Sequence, residues 1–100
     1  MIEIRKYLRN GESPFDERFN QIKDKQAKSR ITARLTRLAM GNAGDHKQLS
    51  ENLFELRIDV GKGWRVYYTK EGAQIVLLIL VGDKPNQKKD IKEVRSWLDE

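Results

Sequence analysis

The sequence predicts a single α+β domain of order β-α-α-β-β-β-α, with helices packed against a largely antiparallel sheet. Three observations lead there. Two segments alternate apolar and polar residues as half-covered strands do. In one, Phe54, Leu56 and Ile58 oppose Glu55, Arg57 and Asp59; in the other, Trp64, Val66 and Tyr68 oppose Arg65 and Tyr67. A third segment, Ala73 to Val81, is apolar almost throughout, as expected of a central strand covered on both faces. Finally, the first half of the chain and its last residues carry apolar side chains at helical spacing. A chain of 100 residues holds one domain, 1–100, with one modest core.

The elements follow in order. Met1 to Leu8 alternates, with Ile2 and Ile4 on one side and Glu3 and Arg5 on the other, and reads as a first strand. Asn10-Gly11 is a turn. Ser13, Pro14 and Asp16 occupy N-cap, first and third positions of a helix whose apolar stripe is Phe15, Phe19 and Ile22. A break near Lys23-Asp24 separates it from a second helix, Lys25 to Met40, with Ala27, Ile31, Leu35 and Leu38 as its buried stripe. Gly41 ends that helix. Arg30, Arg34 and Arg37 form a second stripe about 100° around its axis, so the helix can pack on a sheet and keep a basic edge. Asn42 to Ser50 reads as a polar loop. Gly61-Lys62-Gly63 joins the two alternating strands, and Lys70-Glu71-Gly72 turns the chain into the apolar one. Gly82 to Asn86 is a loop, and Gln87 to Leu98 a closing helix with Ile91, Val94 and Leu98 as its stripe.

The formal net charge is +5, from 20 Lys and Arg against 15 Asp and Glu. A basic balance favours a polyanionic partner. Between Lys23 and Arg37, six basic residues face the single acid Asp24, although a charge run of this kind is ordinarily a solvated helix face. There are no cysteines and one histidine, which excludes disulfides, thiolate metal sites, a Cys nucleophile and a multi-His metal site. The longest apolar run, Ile75 to Val81, is far too short to span a bilayer. Met1 leads directly into Ile2-Glu3-Ile4-Arg5 with no signal-peptide pattern, and a cytoplasmic location is expected.

Arginines and a tyrosine on the polar faces of two neighbouring strands suit a phosphate backbone and an unstacked base. Arg57 and Arg65 are candidates to grip a phosphate and stabilise the charge of a five-coordinate phosphorus; the plainer alternative pairs Arg57 with Glu55 or Asp59 on a wet sheet face. Tyr67, on the face of Arg65, is a candidate for base stacking or proton exchange with a 2′-hydroxyl, whereas Tyr68 belongs in the core. Lys84, just past the central strand, is a candidate phosphate contact or proton carrier. Asp83 and Asp90 read as capping or supporting the last helix. His46, in a polar loop beside Asp45 and Lys47, reads as a surface residue. Trp64 and Trp97 read as core or interface anchors.

The Glu-Leu-Arg strand, the Gly-Trp-Arg-Val-Tyr-Tyr strand, the Gly82-Asp83-Lys84-x-x-Gln87 segment and Gly41-Asn42-x-Gly44-Asp45 together resemble the RelE/ParE superfamily of bacterial toxins, in its HigB-like branch of addiction-module killer proteins. The likeness covers nearly the whole chain. It implies the RelE-like fold and a type II toxin–antitoxin toxin that cleaves messenger RNA in the ribosomal A site. It also implies a reaction that uses no metal or other cofactor. In it the 2′-hydroxyl attacks, leaving a 2′,3′-cyclic phosphate and a 5′-hydroxyl. It assigns Arg57, Arg65, Tyr67 and Lys84 to catalysis, and Gln87 to RNA contact. Helix two, with Arg30, Arg34 and Arg37, and the closing helix, with Lys88, Lys89, Lys92 and Arg95, would hold ribosomal RNA electrostatically. Some related toxins carry a catalytic His or Tyr near the C-terminus; here Glu93 to Glu100 has neither, leaving basic residues and Tyr67 for proton transfer. The expected partner is a helix-turn-helix antitoxin, through which alone the chain would reach operator DNA; no membrane partner is expected. The alternative within the superfamily is a ParE-like poison of DNA gyrase without nuclease activity. Outside it stands a basic RNA-binding domain with no toxicity.

Overall fold

A computed structural model describes residues 1–100. Its elements are β1 (Glu3–Lys6), α1 (Pro14–Gln21), α2 (Lys25–Ala39), β2 (His46–Ser50), β3 (Leu53–Ile58), β4 (Trp64–Glu71), β5 (Ile75–Asp83), a single 3₁₀ turn (Lys84–Asn86) and α3 (Gln87–Leu98). The one added strand is β2, which lies inside the segment expected to be a polar loop. Its side chains are exposed apart from the partly covered Leu49, so it carries no apolar alternation. It is held as a strand by backbone pairing with β3, His46 opposite Leu56 and Gln48 opposite Phe54. A polar edge strand of this kind blunts an otherwise open sheet edge.

The five strands run in the order β1-β5-β4-β3-β2. β1 pairs parallel with β5, and every other pair is antiparallel. The apolar strand β5 is therefore internal, as its composition requires. α1 lies along β5 and α2 over β3, with α3 against β5 and β4. The larger core unites Phe15, Ile22, Ala27, Ile31 and Leu38 of the first two helices with Leu56, Ile58, Val66, Tyr68, Val76, Leu78 and Val81 of the sheet. A smaller one unites Leu53, Tyr67, Ile79 and Leu80 with Val94 of α3. By strand alternation these cores are on opposite faces. Burying an aliphatic side chain of this size contributes about 1.5–3 kcal/mol, so residues such as Ile31 and Leu56, with no exposed surface, anchor the first face.

Ile79 and Leu80 are consecutive, yet both belong to the α3 core. The pairing explains this: Tyr67 opposes Leu80 and Tyr68 opposes Leu78, so Ile79 is a bulge residue. One extra residue inverts the parity of everything after it, which returns Val81 to the α1–α2 face.

The helix starts obey their local chemistry. Ser13 Oγ accepts the Asp16 N–H at 3.1 Å ahead of Pro14. Asp24 Oδ1 accepts the Gln26 and Ala27 N–H groups at 3.0 and 3.2 Å, which makes the break between helices the cap of the second. In α3 the stripe differs from expectation. Trp97 packs with Ile91 and Val94 on the smaller core and stacks on Tyr7, while Leu98 is left exposed. No helix is long and apolar enough to cross a membrane.

Candidate functional site

The sheet face beneath α3 holds the charged residues. Pairing of β3 with β4 sets Arg57 directly opposite Arg65 and Glu55 directly opposite Tyr67. The face is not wet: Glu55 and Tyr67 have no exposed surface and Arg65 is 5% exposed, while Arg57 is partly open. α3 supplies the cover. Its first residue, Gln87, donates from Nε2 to Glu55 Oε2 at 2.7 Å, and Arg57 Nε donates to Glu55 Oε1 at 3.1 Å. The expected pairing of Arg57 with Glu55 is thus present, but as part of a layer between sheet and helix.

Arg65 donates from Nη1 to the Trp64 carbonyl at 2.9 Å and comes within 3.7 Å of the exposed Asp59 carboxylate; its Nε has no partner. The Tyr67 hydroxyl also has no partner. Burial raises the Tyr67 pKa well above its ordinary value, and the Glu55 and Asp90 charges push the same way. Stacking on a base, as expected of Tyr67 from sequence, needs a ring face that this packing does not offer. Its proton is likewise held more firmly than in water. Tyr67 is therefore a wall of the site, a correction with a simple cause: alternation tells which residues share a face, and α3 decides that the face is covered. Tyr68, as expected, is in the opposite core, where burial raises its pKa too.

Lys84 opens the turn into α3 and is exposed. Its N–H donates to the Gly63 carbonyl at 2.9 Å, which straps this turn to the β3–β4 turn. Gly63 has φ +81°, and a Cβ there would meet Lys84 Cβ at 3.3 Å and Arg65 Nη1 at 3.9 Å. A left-handed residue without a side chain is what lets Lys84 approach Arg65. Asp83 Oδ1 accepts the Asn86 N–H at 3.1 Å, as expected of a cap. Arg57 is thus paired with Arg65 across the strands and with Gln87 through Glu55, and the Lys84 stem flanks the same Gly63 turn as Arg65, with Lys88 exposed on the next residue of the helix.

Beneath the same first turn lies an ion pair with a buried carboxylate and a half-buried arginine. Asp90, 1% exposed, accepts from Arg18 of α1 at 3.1 and 3.3 Å, and Arg18 also donates to the Val81 carbonyl at 3.3 Å. The pairing with Asp90 raises the Arg18 pKa. A Cβ at Gly82 would collide with the Asp90 carboxylate, so glycine is required there for α3 to seat. Asp90 does support the last helix, as expected. Glu55 was expected only as a partner of Arg57 on a wet face and Gly82 only as part of the Gly82-Asp83-Lys84 segment; Arg18 was not singled out from sequence. A carboxylate between Phe54 and Leu56 in mid-strand is the one signal for Glu55; for Arg18 there is none.

The basic edge of α2 divides. Arg34 donates to the Arg57 carbonyl at 2.6 Å and to the Ala43 and Asp45 carbonyls at 2.8 Å, stapling the helix to β3 and to the loop before β2. Expected as an RNA contact, it is a structural staple instead, because five N–H donors match clustered carbonyls. Arg30 and Arg37 remain exposed and, with Arg34, Ile58 and Asp59, line a pocket of about 180 Å³. α2 packs on the face opposite Arg57 and Arg65. His46 is exposed, with Nδ1 2.8 Å from the Gly44 carbonyl oxygen.

No protein-family model matches the chain. An uncharacterized protein of Haemophilus influenzae is 44% identical to it over 81 residues, which covers 81% of this chain and 82% of that protein.

Proposed function

The chain belongs to one family with that Haemophilus influenzae protein, and for it we propose the toxin of a type II toxin–antitoxin pair, a messenger-RNA endoribonuclease with the RelE-like fold acting on the ribosome in the cytoplasm. One observation carries this reading: two arginines stand directly opposite each other on a covered strand pair, with Lys84 beside them. Like charges directly opposed destabilise a sheet, and an anion placed between two guanidinium groups relieves that repulsion with charge-assisted hydrogen bonds. The RelE/ParE resemblance agrees with that chemistry.

In this reading the Arg57 guanidinium meets the phosphate adjoining the scissile bond. Arg65, fixed below it, adds positive charge in a low-dielectric layer as the 2′-hydroxyl attacks and the phosphorus becomes five-coordinate. The 2′-hydroxyl gives up its proton to solvent water as the 2′-oxygen–phosphorus bond forms, and Lys84, exposed at the rim, gives its proton to the 5′-oxygen as the phosphorus–5′-oxygen bond breaks. Lys88, Arg30 and Arg37 hold ribosomal RNA by counterion release, so association weakens steeply with salt. A cognate helix-turn-helix antitoxin would neutralise the toxin and carry it to operator DNA.

The burial of Tyr67 favours a second reading, a gyrase poison of the ParE kind, because it leaves Lys84 as the one exposed proton carrier of the set. Induced expression in a bacterial host separates the two. Wild type, Arg57→Ala and Lys84→Ala are compared, with message 5′ ends mapped by primer extension. Growth arrest with new ends inside translated frames, lost in both variants, is the expected result. Arrest with DNA breaks and an SOS response, but no new ends, would overturn the nuclease reading in favour of gyrase.

A further inference from the structure

Glu55 is the residue of the covered face to which neither the resemblance nor the proposed reaction gives a role. It has no exposed surface, and removing a carboxylate from water so completely is costly unless each oxygen finds a donor. Each does, from a different element. Oε1 accepts from Arg57 Nε at 3.1 Å, and Oε2 accepts from Gln87 Nε2 at 2.7 Å. An apolar side chain between Phe54 and Leu56 would fill the same space without that cost, so the arrangement asks for a role.

The contact with Arg57 is through Nε alone. A guanidinium is planar, so holding its Nε–H fixes the direction of the whole fork. Nη1 and Nη2 make no hydrogen bond within the protein, and the side chain is 35% exposed against 0% for Glu55. The inner edge of Arg57 is therefore engaged by a buried anion and the outer edge is free for a second one. Glu55 also offsets the repulsion between Arg57 and Arg65 across the strand pair. Through Gln87 it ties the first residue of α3 to the sheet.

We propose that Glu55 is a positioning residue: its buried carboxylate orients the Arg57 guanidinium so that both Nη groups face outward as a fork for a phosphodiester, and it locks the start of α3 in the same contact. The catalytic consequence rests on the endoribonuclease reading; the orientation of Arg57 does not. Two measurements keep them apart. The first is the exchange with water of the Arg57 Nε–H, followed by nuclear magnetic resonance in the wild-type protein and in Glu55→Gln. Slow exchange in wild type, relative to the exposed Arg30 and Arg37, and fast exchange in Glu55→Gln are expected. Exchange in wild type as fast as at Arg30 overturns the proposal, and this arm stands even if Glu55→Gln does not fold.

The second is a double-mutant cycle on message cleavage in a cell-free translation mixture. Glu55→Gln should lower kcat about 10²-fold, the size of effect that misplacing a reacting group produces, and should have no further effect in the Arg57→Ala background. Equal losses in both backgrounds overturn the proposal and make Glu55 a residue acting by itself. If wild type cleaves nothing, the nuclease reading fails. The cycle is then run on binding of a single-stranded 2′-deoxy oligonucleotide, with the same non-additivity expected and the same outcome overturning it.

Discussion

The two faces of one sheet differ more than two proteins often do. Toward α1 and α2, strands β3 and β4 present Leu56, Ile58, Trp64, Val66 and Tyr68, which merge with helix side chains into an apolar core. Toward α3 the same strands present Glu55, Arg57, Arg65 and Tyr67, in a layer of charges and unpartnered donors. Both faces are largely dry. Alternation along the strand gives neighbouring residues opposite duties, so the first face supplies cohesion by burial, which is non-directional, while the second holds charges in directions fixed by individual hydrogen bonds. A structure built this way keeps its directed charges and its larger apolar core on opposite faces of one sheet.

The comparison breaks most readily at Arg18, the ion-pair residue on which the seating of α3 depends. Arg18→Ala leaves the Asp90 carboxylate buried and unpaired, and should cost about 3–5 kcal/mol in urea denaturation, with the charged face opening first. On the apolar face, Ile31→Ala should cost about 2–5 kcal/mol while residual activity per folded molecule is unchanged, since nothing at the site touches it. Arg57→Ala acts at the site itself. Message cleavage should fall about 10²–10³-fold, the usual effect of removing one transition-state donor. The melting temperature should fall as well, because Arg57→Ala leaves one oxygen of the buried Glu55 carboxylate without its donor, so cleavage is compared per folded molecule.

Tyr67→Phe sharpens the comparison with the smallest effect. It removes a hydroxyl that makes no hydrogen bond, so near neutral pH the protein should keep its cleavage rate and its stability within about 1 kcal/mol. The difference emerges in alkali. The folded Tyr67 pKa lies above that of the unfolded chain, so between the two values the unfolded state has lost the proton that the native state keeps. Wild-type stability is full below about pH 10, the ordinary tyrosine value, and falls above it. A series of melts should show a shallower decline for Tyr67→Phe, and identical slopes would mean that Tyr67 titrates freely in the fold.

Much of this was legible in the sequence. Ser13-Pro14, Phe15 with Phe19, and Ala27 with Ile31 and Leu38 located α1 and α2. Alternation located β3 and β4 and correctly put Arg57, Arg65 and Tyr67 on one face. β2 was not legible, since a strand held only by backbone pairing at a sheet edge leaves no mark on its side chains. Nor was the bulge at Ile79, because a run without polar residues has no parity to lose. Nor was the choice of Trp97 over Leu98, since positions three and four residues after Val94 fit the helical spacing equally.

By itself the sequence determined the helices and the strand pattern, through caps and periodicity that act over a few residues, and it determined that the arginines share a face. Tertiary structure alone decided that α3 covers that face, that Arg57 meets Arg65 in register, that Arg34 staples while Arg30 and Arg37 stay free, and that Glu55 and Asp90 are buried beside their partners. These depend on contacts between residues far apart in the chain, where one ångström decides whether a charge is solvated or paired. Periodicity carries direction around an element; it carries no distance between elements.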